Sequence, residues 1–248
     1  MRPGSPIRRS TRRVLKLSRL PSGQAEIFAS IQGEGRTRGL PSVFVRLALC
    51  NLRCIWCDTK YTWDWEHYDG RVEIIDVEPA AVAAVVQELG HHNIVITGGE
   101  PLLQKRPLGR LVEGLKEQGR RVEMETNGTI FPSDELAVAV DQWNVSPKIA
   151  NSGNHSRVRE FPAVLGWFAA QPNAYFKFVV AAPTDVQEIG RLTARYFLDP
   201  ARVILMPEAQ DEATMVDRSS WLEPACDGAG FSFSPRLQIT LWRGARAR

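Results

Sequence analysis

Three cysteines stand within eight residues of this chain, Cys50, Cys54 and Cys57, in the pattern C-x3-C-x2-C. The spacing gathers three thiolates on one short loop, and the number matters as much as the spacing. A structural zinc site or a closed electron-transfer cluster normally takes four protein ligands. A four-iron, four-sulfur cube held by three cysteines leaves one iron open to a small molecule. The fourth cysteine, Cys226, lies far along the chain and reads as an ordinary partly buried thiol. Crowding three cysteines on one loop argues against paired disulfides, so a reducing, cytoplasmic setting is expected.

A second set of polar residues recurs after successive apolar runs. Thr97-Gly98-Gly99-Glu100-Pro101, Glu125-Thr126-Asn127-Gly128, Ser146-Pro147-Lys148 and Met206-Pro207-Glu208 each follow an apolar run. Gly98 and Gly99 carry no Cβ and let backbone approach a ligand, while Glu100 offers a carboxylate for an ammonium group. Upstream, Glu26 to Gly35 reads as an exposed polar ligand loop, in which Gln32 can both donate and accept at the edge of a heterocycle. Arg46 interrupts the apolar run Val43 to Leu49 and needs an anion, either an internal carboxylate or one on a substrate. Trp56, Tyr61, Trp63, Trp65 and Tyr68 form an aromatic stretch that either covers the cysteine site or belongs to the core, with Trp56 best placed for cover. His67, His91, His92 and His155 lie in polar turns without ligand-like spacing.

Elements that could position these groups follow from hydrophobic periodicity. Strands are expected at Val43 to Leu49, Asn93 to Thr97, Arg121 to Thr126, Gln142 to Ser146, Tyr175 to Ala181 and Arg202 to Met206. Helices are expected at Glu78 to Leu89, stopped by Gly90, at Pro107 to Gln118, stopped by Gly119, and at Thr184 to Phe197, capped by Thr184 or Asp185. Alternating strands and helices give an α/β fold, a partial (open) parallel β/α barrel. In such folds the C-terminal strand ends face one side, so the recurring polar motifs converge on a single rim.

Composition bounds the reading further. With 44% hydrophobic and 24% charged residues in 248, the chain can build an ample core. No apolar run approaches a membrane span. The net charge of +3 hides an uneven distribution: residues 1–25 hold seven basic residues and no acid, leaving −4 for the remainder. Residues 1–23 are read as a basic, disordered extension, dispensable for activity, and 24–248 as one domain. No G-x-S-x-G, P-loop or G-x-G-x-x-G sequence appears, which leaves hydrolase and nucleotide-fold readings unsupported.

Taken together these motifs resemble the 7-carboxy-7-deazaguanine synthase family of radical S-adenosylmethionine enzymes, across about residues 24–242. The carrying residues are Glu26 to Gly35, Phe44-Val45-Arg46-Leu47, Cys50 to Thr59 and the four rim motifs. Lys177-Phe178-Val179 and Ser234-Pro235-Arg236-Leu237 continue the match. The resemblance implies a radical S-adenosylmethionine barrel and ring contraction of 6-carboxy-5,6,7,8-tetrahydropterin to 7-carboxy-7-deazaguanine, with loss of ammonia, in 7-deazapurine and queuosine biosynthesis. It assigns Cys50, Cys54 and Cys57 to the 4Fe-4S cluster and Thr59 to Mg2+. It assigns Trp56, Cys57, Asp58, Gly99, Glu100, Ser146, Pro147 and Lys148 to S-adenosylmethionine. The pterin is assigned Ile31, Gln32, Gly33, Arg46, Thr97, Glu125, Asn127 and Gln238, with Arg46 at its carboxylate. No protein acid or base is assigned, since the cofactor radical carries the chemistry. A homodimer and a reductant such as flavodoxin or ferredoxin are implied, with no nucleic acid or membrane partner.

Three departures from the family pattern stand out. Gln238 replaces a histidine, and glutamine cannot titrate near neutrality. The chain ends in Arg246-Ala247-Arg248 where some members end in proline, and Leu49 precedes Cys50 where glycine is common. Two rival readings explain less. A glycyl-radical activase would account for the cysteines but not for Gln32, Arg46, Thr59 and Glu125 together. An RNA-binding module would account for the tail but not the rim.

Overall fold

Side chains along a strand alternate between faces, and in this chain the alternation separates an apolar face from a polar one. The computed structural model describes residues 14–243 and 245–247. Among these, ten strands form one sheet: β1 (Leu15–Ser18), β2 (Ile27–Ile31), β3 (Pro41–Leu47), β4 (Ile74–Val77), β5 (Asn93–Gly98), β6 (Arg121–Thr126), β7 (Gln142–Val145), β8 (Ala174–Val180), β9 (Val203–Pro207) and β10 (Ser232–Phe233). The order is β10-β9-β8-β7-β6-β5-β3-β1-β4, with β2 paired to β3. From β3 through β10 every pairing along the path is parallel, whereas β1, β2 and β4 join antiparallel. The path ends at β10 and β4 without closing, so the fold is the open, mostly parallel barrel expected.

One face of each parallel strand enters the main core. Val43, Val45 and Leu47 of β3, Ile94 and Ile96 of β5, Val122 and Met124 of β6, Phe176 and Phe178 of β8 all pack there, fully buried. Helices Pro79–Leu89, Lys105–Glu117, Pro162–Ala169 and Pro183–Tyr196 cover this face. The intervening residues carry the charges: Arg46 on β3, Glu123 and Glu125 on β6, Lys177 on β8. Helix boundaries follow local chemistry. Pro79 opens its helix and Gly90 ends it in a left-handed conformation at φ +79°. Asp185 does cap the Pro183–Tyr196 helix, but from its first turn, accepting the N–H groups of Ala181 and Ala182 at 2.8 and 3.0 Å.

The stretch read as a disordered extension needs correction. β1 lies inside residues 1–23, paired with β3 and β4, and Leu15 and Leu17 are fully buried in the main core. The alternation Leu15-Lys16-Leu17 inserts two apolar side chains while Lys16 stays outside on Asp76 at 2.6 Å. Residues 1–13, which hold five of the seven basic residues, lie outside the described residues. Leu17→Ala is expected to destabilise the protein by about 2–5 kcal/mol, read from the urea midpoint; an unchanged midpoint would return β1 to the dispensable tail.

Candidate active site

The end of β3 runs into the cysteine loop through a tight approach. Gly99 donates its N–H to Leu47 O at 2.9 Å and Glu100 to Leu49 O at 2.7 Å. A Cβ on Gly98 would stand 2.0 Å from Leu47 O, and one on Gly99 2.0 Å from Leu49 O. The two glycines therefore seat the cysteine loop against the end of β5; the close approach is to backbone, with Gly99 still lining the cavity beyond. Leu49 takes φ +75°, a left-handed conformation more natural to glycine than to leucine.

Cys50, Cys54, Cys57, Trp56, Asp58, Thr59, Thr97, Gly99, Asn127, Ser146 and Lys148 line one cavity at the C-terminal ends of the strands. Each cysteine sulfur accepts a hydrogen bond: Cys50 from Leu52 N–H at 3.4 Å, Cys54 from Asn154 Nδ2 at 3.3 Å, Cys57 from Trp63 Nε1 at 3.3 Å. Burial pushes the Cys50 thiol up to about 12 and raises Cys54 as well, so iron binding must displace protons from both. Among the described residues no three His, Cys, Asp or Glu side chains converge on a single metal ion. A cube, whose irons sit at separate corners, needs sulfurs spread around a cavity rather than focused on a point. Three donor-supported sulfurs around one cavity fit that group. Lys148 closes the far side, its Nζ 2.6 Å from Ser146 Oγ and 5.6 Å from the Trp56 ring centroid.

A second cavity adjoins the first. Ile31, Gln32, Gly33, Arg46, Tyr61 and Gln238 line it, and Cys57, Asp58, Thr59, Thr97, Glu125, Glu34 and Arg236 line both. Three residues of this lining carry polar groups without a hydrogen-bond partner among the described residues. Gln32 Nε2 and Gln238 Oε1 are buried without partners, a donor and an acceptor each costing about 1–3 kcal/mol while unpaired. Arg46 donates Nε to Glu26 at 2.7 Å, and neither of its Nη groups has a hydrogen-bond partner among the described residues. Glu26, internal and fully buried, is thus the anion that holds Arg46 in its strand.

Between the cavities runs a chain of charges that sequence reasoning did not assign. Lys177 Nζ bridges Glu125 Oε1 at 2.8 Å and Glu34 Oε2 at 3.3 Å. Glu125 Oε2 accepts from Thr97 Oγ1 at 2.8 Å, and Arg236 reaches Glu34 at 2.9 Å and Asp58 with its other arm. Burial opposes the Lys177 charge, but Glu125 and Glu34 hold it above the ordinary lysine range. Burial likewise opposes Glu34 ionisation, yet Lys177, Arg236 and the Gln238 amide hold its carboxyl well below 4.5. The matches at Lys177 and Arg236 were visible as motif residues, but their partners lie up to 202 residues away.

Other assignments move. Glu100 is fully buried and lines neither cavity; its oxygens accept from Leu102 N at 3.0 Å, Thr126 Oγ1 at 2.9 Å and Asn127 N at 2.7 Å. Burial raises its pKa, and no oxygen faces the cavities to receive an ammonium. Pro147 is buried behind the loop and lines neither cavity. Asn127 lines the cysteine cavity rather than the second one, with its amide committed to Asn51 at 2.9 Å and Thr129 at 2.6 Å. Of the aromatic stretch, Trp56 and Trp63 line the first cavity and Tyr61 and Tyr68 the second, while Trp65 is largely exposed.

An open parallel barrel whose strand ends carry three cysteines in a cavity defines a radical S-adenosylmethionine domain, and residues 45–160 match the Radical SAM superfamily. The chain is 42% identical over 224 residues to 7-carboxy-7-deazaguanine synthase of Pyrobaculum aerophilum, covering 90% of this chain and 96% of that one. It is 39% identical to that of Hyperthermus butylicus, with 86% and 90% covered, and 34% identical to that of Halobacterium salinarum, with 89% and 90% covered. The chain belongs to the 7-carboxy-7-deazaguanine synthase family. The solved structure of QueE from Escherichia coli shares the fold, with a TM-score of 0.66 at 24% identity over 90% of this chain and 93% of that one. Among the described residues no helix is long and apolar enough to cross a membrane.

The direction of the Glu34 shift sets an acid limit. Its stabilisation is fully present above pH 4.5 and is lost as the pH falls through the depressed folded value. Glu34→Gln should therefore cost about 3 kcal/mol from roughly pH 7 to pH 5, with the gap to wild type shrinking in more acid solution. Urea denaturation across that range measures it; a gap that grows on acidification would refute the assignment.

Proposed function

We propose that this chain contracts the ring of 6-carboxy-5,6,7,8-tetrahydropterin to 7-carboxy-7-deazaguanine, releasing ammonia, in a Mg2+-dependent reaction. The observation that carries the reading is the second cavity. Gln32, Gln238 and a guanidinium whose Nη groups have no hydrogen-bond partner among the described residues line one space beside the cysteines. A pterin edge offers acceptor and donor groups to Gln32 and Gln238, and its carboxylate suits the planar fork of Arg46. Ile31 and Gly33 border the same space.

Cys50, Cys54 and Cys57 would hold the cluster, and Trp56, Asp58, Gly99, Ser146 and Lys148 would surround S-adenosylmethionine. Bound there, these groups supply a carbon-centred radical that removes a hydrogen atom from the substrate. Cys57, Asp58, Thr59, Thr97 and Glu125 line both cavities, so the two reactants would lie side by side and the transfer would be short. Lys177 keeps Glu125 oriented and stays protonated beside it. A homodimer and a flavodoxin- or ferredoxin-like one-electron donor complete the proposal.

Anaerobic reconstitution followed by incubation with S-adenosylmethionine, reductant and carboxytetrahydropterin should yield the deazaguanine acid and ammonia. Cys50→Ala, Cys54→Ala and Cys57→Ala should each lose the cluster absorbance and the cofactor cleavage. Cofactor cleavage in the wild type without consumption of this pterin would remove the substrate assignment.

Thr59 lies on the shared wall, and a single hydroxyl holds Mg2+ weakly, so substrate oxygens and water must complete the octahedron. Mg2+ binding by calorimetry should therefore be weak in free protein and strengthen when substrate is present. Tight binding to the free protein would count against Thr59 as the ligand.

A further inference from the structure

Arg246 lines the second cavity while its nitrogens are tied to protein partners. Its Nε donates to Glu26 Oε2 at 2.9 Å, its Nη1 to Glu73 Oε2 at 3.0 Å, and its Nη2 to the backbone oxygen of Arg19. The guanidinium lies over the Tyr61 ring, 3.7 Å from its centroid. Each of the three nitrogens is thus engaged with protein, so the guanidinium is held in place by three separate partners.

What Arg246 determines is how Glu26 is shared. Glu26 is fully buried; its Oε1 accepts from Arg46 Nε at 2.7 Å and from the Tyr61 hydroxyl at 3.1 Å, and its Oε2 accepts from Arg246. An arginine and a carboxylate left alone pair through two parallel N–H···O bonds. Here Oε2 is occupied, so Arg46 meets Glu26 through Nε only, leaving its Nη groups toward the cavity it lines. With Oε2 vacated, a buried carboxylate oxygen would lack a partner and the Arg46 fork would turn to satisfy it.

We infer that Arg246 is a positioning residue that confers preference for a carboxylated heterocycle, by holding Glu26 so that Arg46 presents its Nη groups to the ligand. The inference rests on the reading of the second cavity as a carboxylated-pterin site. It assigns a task to a residue 200 positions from Arg46, on which it acts. Leu237–Trp242 and the residues after it form the adjoining wall, with Trp242, Arg243 and Ala245 lining the same cavity. Arg246 therefore also fastens this wall to the β1–β2 connection and to Glu73.

The test compares two stable probes, pterin-6-carboxylate and pterin without a 6-substituent, binding to the reconstituted holoenzyme with S-adenosylmethionine under anaerobic calorimetry. Wild type should prefer the carboxylate by about tenfold or more, and Arg246→Ala should bring the two affinities within about threefold by weakening the carboxylate alone. Arg246→Lys, which keeps a cation for Oε2, should recover part of the preference and serves as the measurement if the alanine variant fails to fold. An equal loss for both probes would show a packing role only, and an intact preference in both variants would overturn the inference. A wild type with no preference would instead remove the carboxylated-pterin reading, and the inference with it.

Discussion

Charges inside an apolar sheet must neutralise one another, and that constraint shapes everything at the rim of this barrel. Arg46, Glu125 and Lys177 project from strands whose opposite faces pack fully buried Val45, Met124 and Phe178. Removing either member of a buried pair leaves a stranded charge, so the set survives only as a set. Lys177 therefore takes two carboxylates, Glu34 takes two cations, and Arg236 ties Glu34 to Asp58 beside the cysteines. The network draws the loop after β2, the strands β6 and β8 and the segment before the last helix onto one spot. Binding residues far apart in sequence acquire fixed positions because their charges have nowhere else to go.

The cysteine loop depends on a different device, steric rather than electrostatic. Its anchor is the close approach of Gly98 and Gly99 to the Leu47–Leu49 backbone, which no side chain would allow. Glu100 then locks the same corner from beneath, collecting two backbone N–H groups and a hydroxyl in a site closed to solvent. A carboxylate satisfied by three donors is worth more as a brace than as a ligand there. The loop that would carry the cluster is thus held by strand ends that also line the cavity. Orientation of the thiolates follows from the sheet itself.

The parts legible in the sequence were those whose cause is local. β3, β5 and β9 are legible as short β-branched and apolar runs, and β6 and β8 as apolar residues alternating with charged or aromatic ones, because helices cover one face of the sheet. The cysteine triplet, Gln32 and Arg46 were legible by type and spacing, while Thr97, Glu125 and Gln238 came through the family resemblance, and all gather in two adjoining cavities. β1 escaped because its two leucines sit among basic residues, and β10 because it spans two residues. Glu212–Ala229 escaped because an interior Pro224 reads as a break and only Met215, Leu222 and Cys226 are buried. Glu100 was misread because a glycine-flanked carboxylate looks the same in sequence whether it faces a ligand or three backbone and hydroxyl donors. The pairings of Glu26 with Arg246 and of Glu34 with Arg236 span 220 and 202 residues, beyond any local pattern.

Those long pairings carry a consequence for how the site is assembled. Glu26 stands between Arg46 from the sheet and Arg246 from the last segment, while Glu34 stands between Lys177 from the sheet and Arg236 from the segment before it. Each carboxylate of the β2 region therefore joins a strand cation to a C-terminal cation. The sheet alone gives Lys177 only Glu125, and among the described residues the C-terminal segment has no sheet pairing beyond β10. Only when both are in place are the carboxylates neutralised from two sides and the strand cations aimed into the cavity. The geometry of the rim is consequently a property of the closed circuit, in which Trp242, Arg243 and residues 245–247 are as much a part of the cavity wall as the strands.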